Sequence, residues 1–289
     1  MYVHGDNLKQ KECHQAKYLD KESRQYLTEI RTEYDKWKSE NEKLKGPFIK
    51  VSKSDLKTLK KRVELFIAYK DFLDQQKFAE KFDSRSNLHS SVLEEFIFFL
   101  FRDLVFEFSD SALIGKAHAF KDIFFNSSNF KEMVQKPNAK IEIKDHDFVI
   151  GVNIETEMKV AGREESQRTI LQIPAVAIEC KTYLDKTMLE GSSTAAEQLK
   201  MKNPNGIYIV VSEWLKLTAQ VNLGKYKVDQ IYVLRKQKNT DREYRYLEGY
   251  QKNPIHVDVV EHLYNSVRKH LTSDWEKGVE YGLIKGYLL

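Results

Sequence analysis

Cysteine is scarce in this chain: Cys13 and Cys180 are the only two among 289 residues, and they lie far apart. A chain of this length can bury a core without covalent staples, so this supply excludes a disulfide framework and a cysteine-built zinc cluster, and both thiols are expected to be reduced. Long apolar runs are missing as well. The longest, FIFFLF at 96–101, is far short of the roughly 20 residues that a membrane span requires. The opening MYVHGDNLKQKECH carries no apolar stretch of the kind that marks a secretory signal. No membrane partner is expected, and cytoplasmic residence is. There is no internal repeat, no low-complexity tract and no coiled-coil heptad. The histidines, His4 and His14 among them, keep no metal-ligand spacing. A phosphate-cradling Gly-x-x-x-x-Gly-Lys-[Ser/Thr] loop is also absent, which argues against an ATP-driven machine.

What is present is a 41% hydrophobic chain with a net charge of only +4. The charge is uneven: residues 1–62 hold 16 Lys and Arg against 10 Asp and Glu, so the remainder is slightly acidic. A basic arm on a near-neutral body is compatible with nucleic acid, and equally with a solvated helical face.

The first part reads as helical. In SRQYLTEIRTEYDKWKSE, residues Tyr26, Ile30, Tyr34 and Trp37 fall on one face of a 3.6-residue period, which suits a core or subunit interface better than base stacking. Gly46-Pro47 breaks that helix. Ser52-Lys53-Ser54-Asp55 offers a capping box for a second, lined by Leu56, Leu59, Val63, Phe66 and Ile67. A third begins near Ser90 or Ser91 and is apolar on most sides, which predicts a central packing helix. From about residue 139 the pattern turns to strands, KIEIKDHDFVIGVNIETEMKV and RTILQIPAVAIECK, with a turn at Ala161-Gly162-Arg163. Gly191 to Thr194 is read as the capped start of a short helix, AAEQLK, which Asn203-Pro204-Asn205-Gly206 ends; the strands GIYIVVSEW and QIYVLRKQ follow. A helix between two apolar strands predicts a βαβ crossover and a parallel pair. VDVVEHLYNSVRKHL is expected to be the final helix.

The chemistry-bearing candidate is Glu-x-Lys. Metal-assisted phosphodiester hydrolysis needs carboxylates for a divalent ion and a group to orient water, and one Asp on a strand with Glu-x-Lys on the paired strand delivers all three side chains to one face. The chain offers Glu142-Ile-Lys144, Glu157-Met-Lys159 and Glu179-Cys-Lys181. Spacing does not separate them, but context does. Only Glu179 ends a run apolar enough for a central strand with a helix and a second buried strand behind it, where a rigid site is built. Period two sets Glu179 and Lys181 on one face and Cys180 on the other. Upstream, Asp147 in KDHDFVIG is the candidate partner, with Asp145 its rival. A strand-end ion pair explains Glu179 and Lys181 equally well on local pattern alone.

KDHDF, PAVAIECKTYLD, STAAEQLK and IYVLRKQKN, in that order, resemble the motif series of the BbvCI-like type II restriction endonucleases in the PD-(D/E)xK superfamily, and FDSR at 82–85 with LEEF at 93–96 resembles that family's upstream helical motif. The resemblance spans roughly residues 80–238. It implies an α/β fold with a restriction-endonuclease-like core, a mixed central sheet flanked by helices, divided here into a helical N-terminal region over 1–80, for DNA binding or dimerisation, and a catalytic core over 81–289. It implies an enzyme that cuts double-stranded DNA with Mg2+ in a restriction-modification system, each subunit cutting one strand of a short CCTNAGC-like or CTNAG-like site, paired with a homologous second subunit or with itself. A companion methyltransferase is expected. Asp147, Glu179 and Lys181 take the places of the family's catalytic triplet, and His146 stands where the superfamily name has Pro.

On that basis Asp147, Glu179 and the Cys180 main-chain carbonyl are the expected Mg2+ ligands, and Lys181 the group that positions the attacking water. Glu95 is a candidate additional acidic ligand and Gln198 a candidate contact from the crossover helix; each is also explained as an ordinary helix-surface residue. Arg85, Lys116, His118, Lys121, Arg163 and Arg168 are candidate DNA contacts, and each also reads as a surface charge. A structure-specific repair or recombination nuclease and a non-catalytic DNA-binding subunit are the alternative readings. Two intact carboxylates and the lysine weigh against the latter.

Overall fold

The computed structural model describes residues 2–82, 87–238, 249–276 and 279–287. Helices α1 (Val3–Glu12), α2 (Lys21–Lys43), α3 (Asp55–Leu73) and α4 (Gln76–Lys81) form the N-terminal region, and α5 (Ser91–Phe108) leads into the sheet. The sheet contains β1 (Leu113–Phe125), β2 (Ala139–Lys159), β3 (Ser166–Leu184), β4 (Ile207–Leu215) and β5 (Gln230–Val233). Short α6 (Phe130–Met133) joins β1 to β2, α7 (Lys186–Lys202) crosses from β3 to β4, and α8 (Val257–Thr272) and α9 (Val279–Lys285) close the chain. Among the described residues no helix is long and apolar enough to cross a membrane.

The helical face predicted for α2 is buried through Leu27, Ile30, Tyr34 and Trp37, while Tyr26 is only half-buried. Asp20 caps it by accepting the Ser23 N–H at 2.9 Å. At α3 the expected box is half-made: Asp55 accepts the Ser52 N–H at 3.1 Å, and the helix starts at Asp55 itself. That start turns Leu56 outward, where it is 49% exposed, while Leu59, Val63 and Phe66 enter the core. Helix α5 is buried nearly all round, as its composition requires, because it is sandwiched between the helical region and the sheet.

Helices α1, α4 and the short α6 escaped the sequence reading, and so did strand β1. Helix α7 also begins earlier than expected. Asp185 caps it by accepting the Met188 N–H at 2.8 Å, so Gly191 to Thr194 lies inside the helix, where the Ser192 and Thr194 hydroxyls donate back to the carbonyls of Met188 and Glu190. A further helix, α9, follows the expected last one.

The strand order is β1-β2-β3-β4-β5. β1, β2 and β3 are antiparallel; β3 and β4 are parallel as the crossover predicted, and β5 adds a second parallel pairing on β4. The long middle strands are staggered: β1 pairs with the first half of β2, the second half of β2 pairs with the first half of β3, and β4 takes the rest of β3. Two irregularities shape the centre. Between the Gly115↔Val149 and Ala117↔His146 pairs β2 carries one residue more than β1, a bulge next to Asp147. Between Ile150↔Val176 and Gly151↔Pro174 it is β3 that carries the extra residue, which accommodates a proline lacking an N–H for the ladder. Gly151 is required there, because a Cβ would lie 2.1 Å from the Ile173 carbonyl oxygen.

Alternate residues of β3 serve two cores. Val176, Ile178 and Cys180 join the large cluster with α5, α3 and α8, and Ala177 joins the smaller one under α7. A buried charge cluster ties the helical region to the sheet: the Lys70 ammonium lies 2.6 Å from Asp74 and 3.3 Å from Glu213 of β4, and Arg235 lies 3.3 Å from Glu213.

Candidate active site

The antiparallel pairing of β2 with β3 ends at Phe148↔Ile178. Beyond it the edge of β3 is open, and the bulge in β2 turns Asp147 across the gap. Its Oδ2 accepts the Cys180 N–H at 2.9 Å and a hydrogen bond from Lys181 Nζ at 3.2 Å. Lys181 Nζ also donates to Glu179 Oε1 at 2.6 Å. The period-two expectation thus holds: Glu179 and Lys181 share a face, and the Cys180 thiol is buried in the core opposite. Glu179 is held from its other side by Tyr208 of β4, whose hydroxyl donates to Oε2 at 3.1 Å.

This cluster opens into a cavity of about 330 Å3 whose lining includes Asn7, Ser90, Glu94, Lys116, Asp147 and Lys181. Its electrostatics are those of Asp147, Glu179 and Glu94 crowded around Lys181, with Lys116 a second cation in the lining. Burial and the nearby Glu179 carboxylate raise Asp147 above the usual carboxylate range, against the pull of Lys181. Burial works against the Lys181 charge, but the Asp147 and Glu179 carboxylates outweigh it and hold the ammonium above its ordinary range. Glu94 is pushed up to about 7 by burial and by Asp147. One of its oxygens, Oε2, is buried with no hydrogen-bond partner among the described residues.

The neighbouring Glu95 serves elsewhere. It points away from the cavity, accepting the backbone N–H groups of His4 at 2.9 Å and Gly5 at 3.1 Å and the Tyr34 hydroxyl at 2.9 Å. The acidic side chain that α5 gives to the cavity is therefore Glu94, one residue before the one singled out from sequence. Gln198 also stays outside; it lines a separate cleft with Lys121, His146 and Pro174. The rival Asp145 is exposed and ion-paired with His118. The other two Glu-x-Lys glutamates are engaged at the surface, Glu142 with Lys121 and Glu157 with Arg168 at 3.5 Å. His146, buried edge-to-face against Tyr208 at 5.5 Å, is lowered to about 4, by burial first and by Lys144 next, and is neutral at neutral pH.

Of the candidate DNA contacts, the structure brings Lys116 to the cavity. His118 and Lys121 lie further along β1 in the ion pairs just given. Arg163, at the β2–β3 turn, donates to the Val134 carbonyl at 3.2 Å, and Arg168 is 80% exposed on the same hairpin. Arg85 lies outside the described residues, as do most of the FDSR block and the end of IYVLRKQKN.

Among the described residues no cluster of three or more His, Cys, Asp or Glu side chains forms a ready metal cage. The donor set suits a hard divalent cation of the Mg2+ type nonetheless, since that ion keeps several waters and needs one or two carboxylates. Asp147 and Glu179 supply two. In an extended strand a residue's N–H and C=O leave by the same edge, so the Cys180 carbonyl faces the side on which its N–H meets Asp147. The unpartnered Glu94 oxygen and the raised carboxylates mark a place where a cation would relieve charge.

A mixed sheet between helices, with Asp on one strand and Glu-x-Lys on its antiparallel neighbour, defines a restriction-endonuclease-like fold. A chain in a structure described as the native BbvCI A2B2 tetramer at low resolution shares it, with a TM-score of 0.69 at 22% identity over 96% of this chain and 99% of that one. The sequence itself goes further: residues 85–288 match the pattern of the Bpu10I restriction endonuclease family, and the chain belongs to that family. No curated protein matches the sequence.

Sequence reasoning missed Tyr208 and Glu94. Tyr208 left a faint signal, a polar-tipped aromatic in an otherwise aliphatic strand. Glu94 and Glu95 are adjacent on a helix buried all round, and only the direction of each side chain separates them.

Proposed function

We propose that this chain is a subunit of a type II restriction endonuclease that hydrolyses one phosphodiester bond of double-stranded DNA with Mg2+ at a short site of the CCTNAGC or CTNAG kind. The observation that supports it is the hydrogen-bonded Asp147–Lys181–Glu179 cluster on the open edge of β3. Asp147, Glu179 and the Cys180 carbonyl would hold the ion, and the chemistry it would supply there is Lewis-acid stabilisation of developing phosphoryl charge. Lys181 orients a water for attack on phosphorus and steadies the same charge through its ammonium. Tyr208 fixes the rotamer of Glu179. In the reaction the oriented water forms a P–O bond and releases a proton to solvent, the P–O bond to the leaving sugar oxygen breaks, and that oxygen takes up a proton from solvent, so one water is consumed and no net proton is lost. His118, Lys121, Arg163, Arg168 and Arg85 remain proposed DNA contacts, with Lys116 favoured by its place in the cavity. Residues 1–80 serve DNA binding or subunit contact and 81–289 catalysis. The A2B2 assembly of the BbvCI structure favours a second, homologous subunit as partner.

The test is cleavage of supercoiled DNA of known sequence in Mg2+ or EDTA, beside Lys181→Ala, with breaks mapped. Breaks at one recurring sequence that vanish in EDTA and in the variant support the reading; nicks alone indicate one strand cut per subunit. Breaks surviving in Lys181→Ala overturn the site. Cleavage directed by ends or flaps without sequence preference supports a structure-specific nuclease instead.

A further inference from the structure

Glu95 raises a question of its own: a carboxylate that burial pushes up to about 7 sits wholly inside the protein, one residue from Glu94, and does not reach the cavity. Its three donors all belong to the first two helices. It accepts the two backbone N–H groups that open α1 and the hydroxyl of Tyr34, which suits a negative charge at a helix N-terminus. The start of α1 is pinned further by His4, whose ring nitrogens meet Ser91 at 2.9 Å and Tyr69 at 2.7 Å. Gly5 lies so close to Tyr34 that a Cβ would fall 2.3 Å from its hydroxyl oxygen. One turn on from these contacts, Asn7 lines the cavity that holds Asp147 and Lys181.

We propose that α1 is a fixed wall of the active site, that the Asn7 carboxamide contacts a phosphate of the DNA strand beside the one being cut, and that Glu95 is the positioning residue that holds Asn7 there. This rests on reading Asp147, Glu179 and Lys181 as the catalytic cluster. The chemistry is specific: a carboxamide offers two N–H donors and no charge, so it grips a phosphate without drawing the catalytic carboxylates into an ion pair. Lys116, across the same cavity, supplies the cationic contact. Phosphate contacts of this kind set the register of the strand and carry no base information.

The experiment uses the full chain, with whatever partner subunit cleavage requires. Asn7→Ala, Asn7→Asp, Glu95→Gln, the Asn7→Ala/Glu95→Gln double variant and Lys181→Ala are compared on one duplex containing the cleaved site. Single-turnover rate and KM are measured in Mg2+, duplex affinity in EDTA, and folding by thermal melting. Loss of one hydrogen bond to an anionic phosphate predicts a rise of roughly ten- to a hundredfold in Kd and KM for Asn7→Ala with the single-turnover rate at saturation kept, and a larger rise for Asn7→Asp, which sets a charge against phosphate. Glu95→Gln melts earlier and shows the same rise, and the double variant binds no more weakly than Glu95→Gln. Wild-type Kd and KM in Asn7→Ala, with cleavage abolished in Lys181→Ala, overturn the inference and leave the active site standing. Additive losses in the double variant overturn the positioning role of Glu95. Cleavage retained in Lys181→Ala overturns the underlying assignment and the inference with it.

Discussion

Replacing Glu94 by Gln should stabilise the metal-free protein at alkaline pH and do nothing of the kind in acid. The carboxyl is held at about 7 by burial and by Asp147, against an ordinary value of 4.5. A carboxylate raised on folding binds its proton more tightly in the folded chain, so stability falls as pH climbs through the interval from 4.5 to 7 and the loss is complete above it. At about 1.4 kcal/mol per unit, the full cost of ionising Glu94 in place is about 3 kcal/mol. Gln carries no such dependence. The difference in unfolding free energy between Glu94→Gln and wild type should therefore shift in favour of the variant by up to about 3 kcal/mol between pH 4.5 and pH 8, whatever constant offset the new amide brings. Urea unfolding in EDTA across that range measures it, and the changing difference cancels the offset. A difference that stays flat, or that favours wild type as pH rises, would refute the claim that Glu94 is buried uncompensated beside Asp147. Adding Mg2+ at pH 8 should then stabilise wild type more than the variant, since the cation neutralises the same charge.

Three further outcomes follow from the same geometry. Lys181→Ala should lower single-turnover cleavage by at least about 10²–10³-fold, the usual cost of losing one electrostatic stabiliser, with duplex affinity in EDTA retained; loss of binding instead would make Lys181 a DNA contact. Tyr208→Phe removes the donor to Glu179 and should raise the Mg2+ concentration for half-maximal cleavage by roughly 10–100-fold, as loss of a ligand's supporting hydrogen bond does, while melting in EDTA changes little. Lys70→Met removes the cation that Asp74 and Glu213 share but leaves Arg235 on Glu213 and Lys252 near Asp74, and should cost about 1–3 kcal/mol in urea unfolding, with the pH profile of single-turnover cleavage unchanged.

The parts of this protein that announce themselves in sequence are those whose pattern repeats or whose neighbours constrain them. The α2 stripe through Ile30, Tyr34 and Trp37 is written in its spacing, as are the buried run of β3, its face assignment and the parallel β3–β4 pair. Asp147 is preferred to Asp145 in sequence by its place at the start of the strand and by the resemblance, but the physical reason lies in the fold: a one-residue bulge in β2, which leaves no mark in a residue pattern, turns Asp147 toward Lys181. The start of α7 went astray for a local reason: Ser192, Ser193 and Thr194 resemble a cap, but Asp185 caps first, the Ser192 and Thr194 hydroxyls bond back within the helix, and Ser193 accepts the Lys227 N–H. Helix α1 was invisible because its anchor, Glu95, lies some 90 residues away in sequence.

The buried charges joining Lys70 and Asp74 of the helical region to Glu213 and Arg235 of the sheet side, together with a hydrophobic cluster running from Leu8 to Val267, bear on how the chain comes apart. Separating the halves would break the buried Lys70–Glu213 contact and expose the apolar surface they share, so partial opening should cost a large share of complete unfolding, and a single urea transition is the expected outcome. Excising residues 1–80 to obtain a minimal nuclease would remove Lys70 from beside Glu213, leaving it Arg235 alone, and take the donors from Glu95 at once. Grafting new specificity onto this scaffold is therefore better done at the protruding hairpins than by exchanging its helical half.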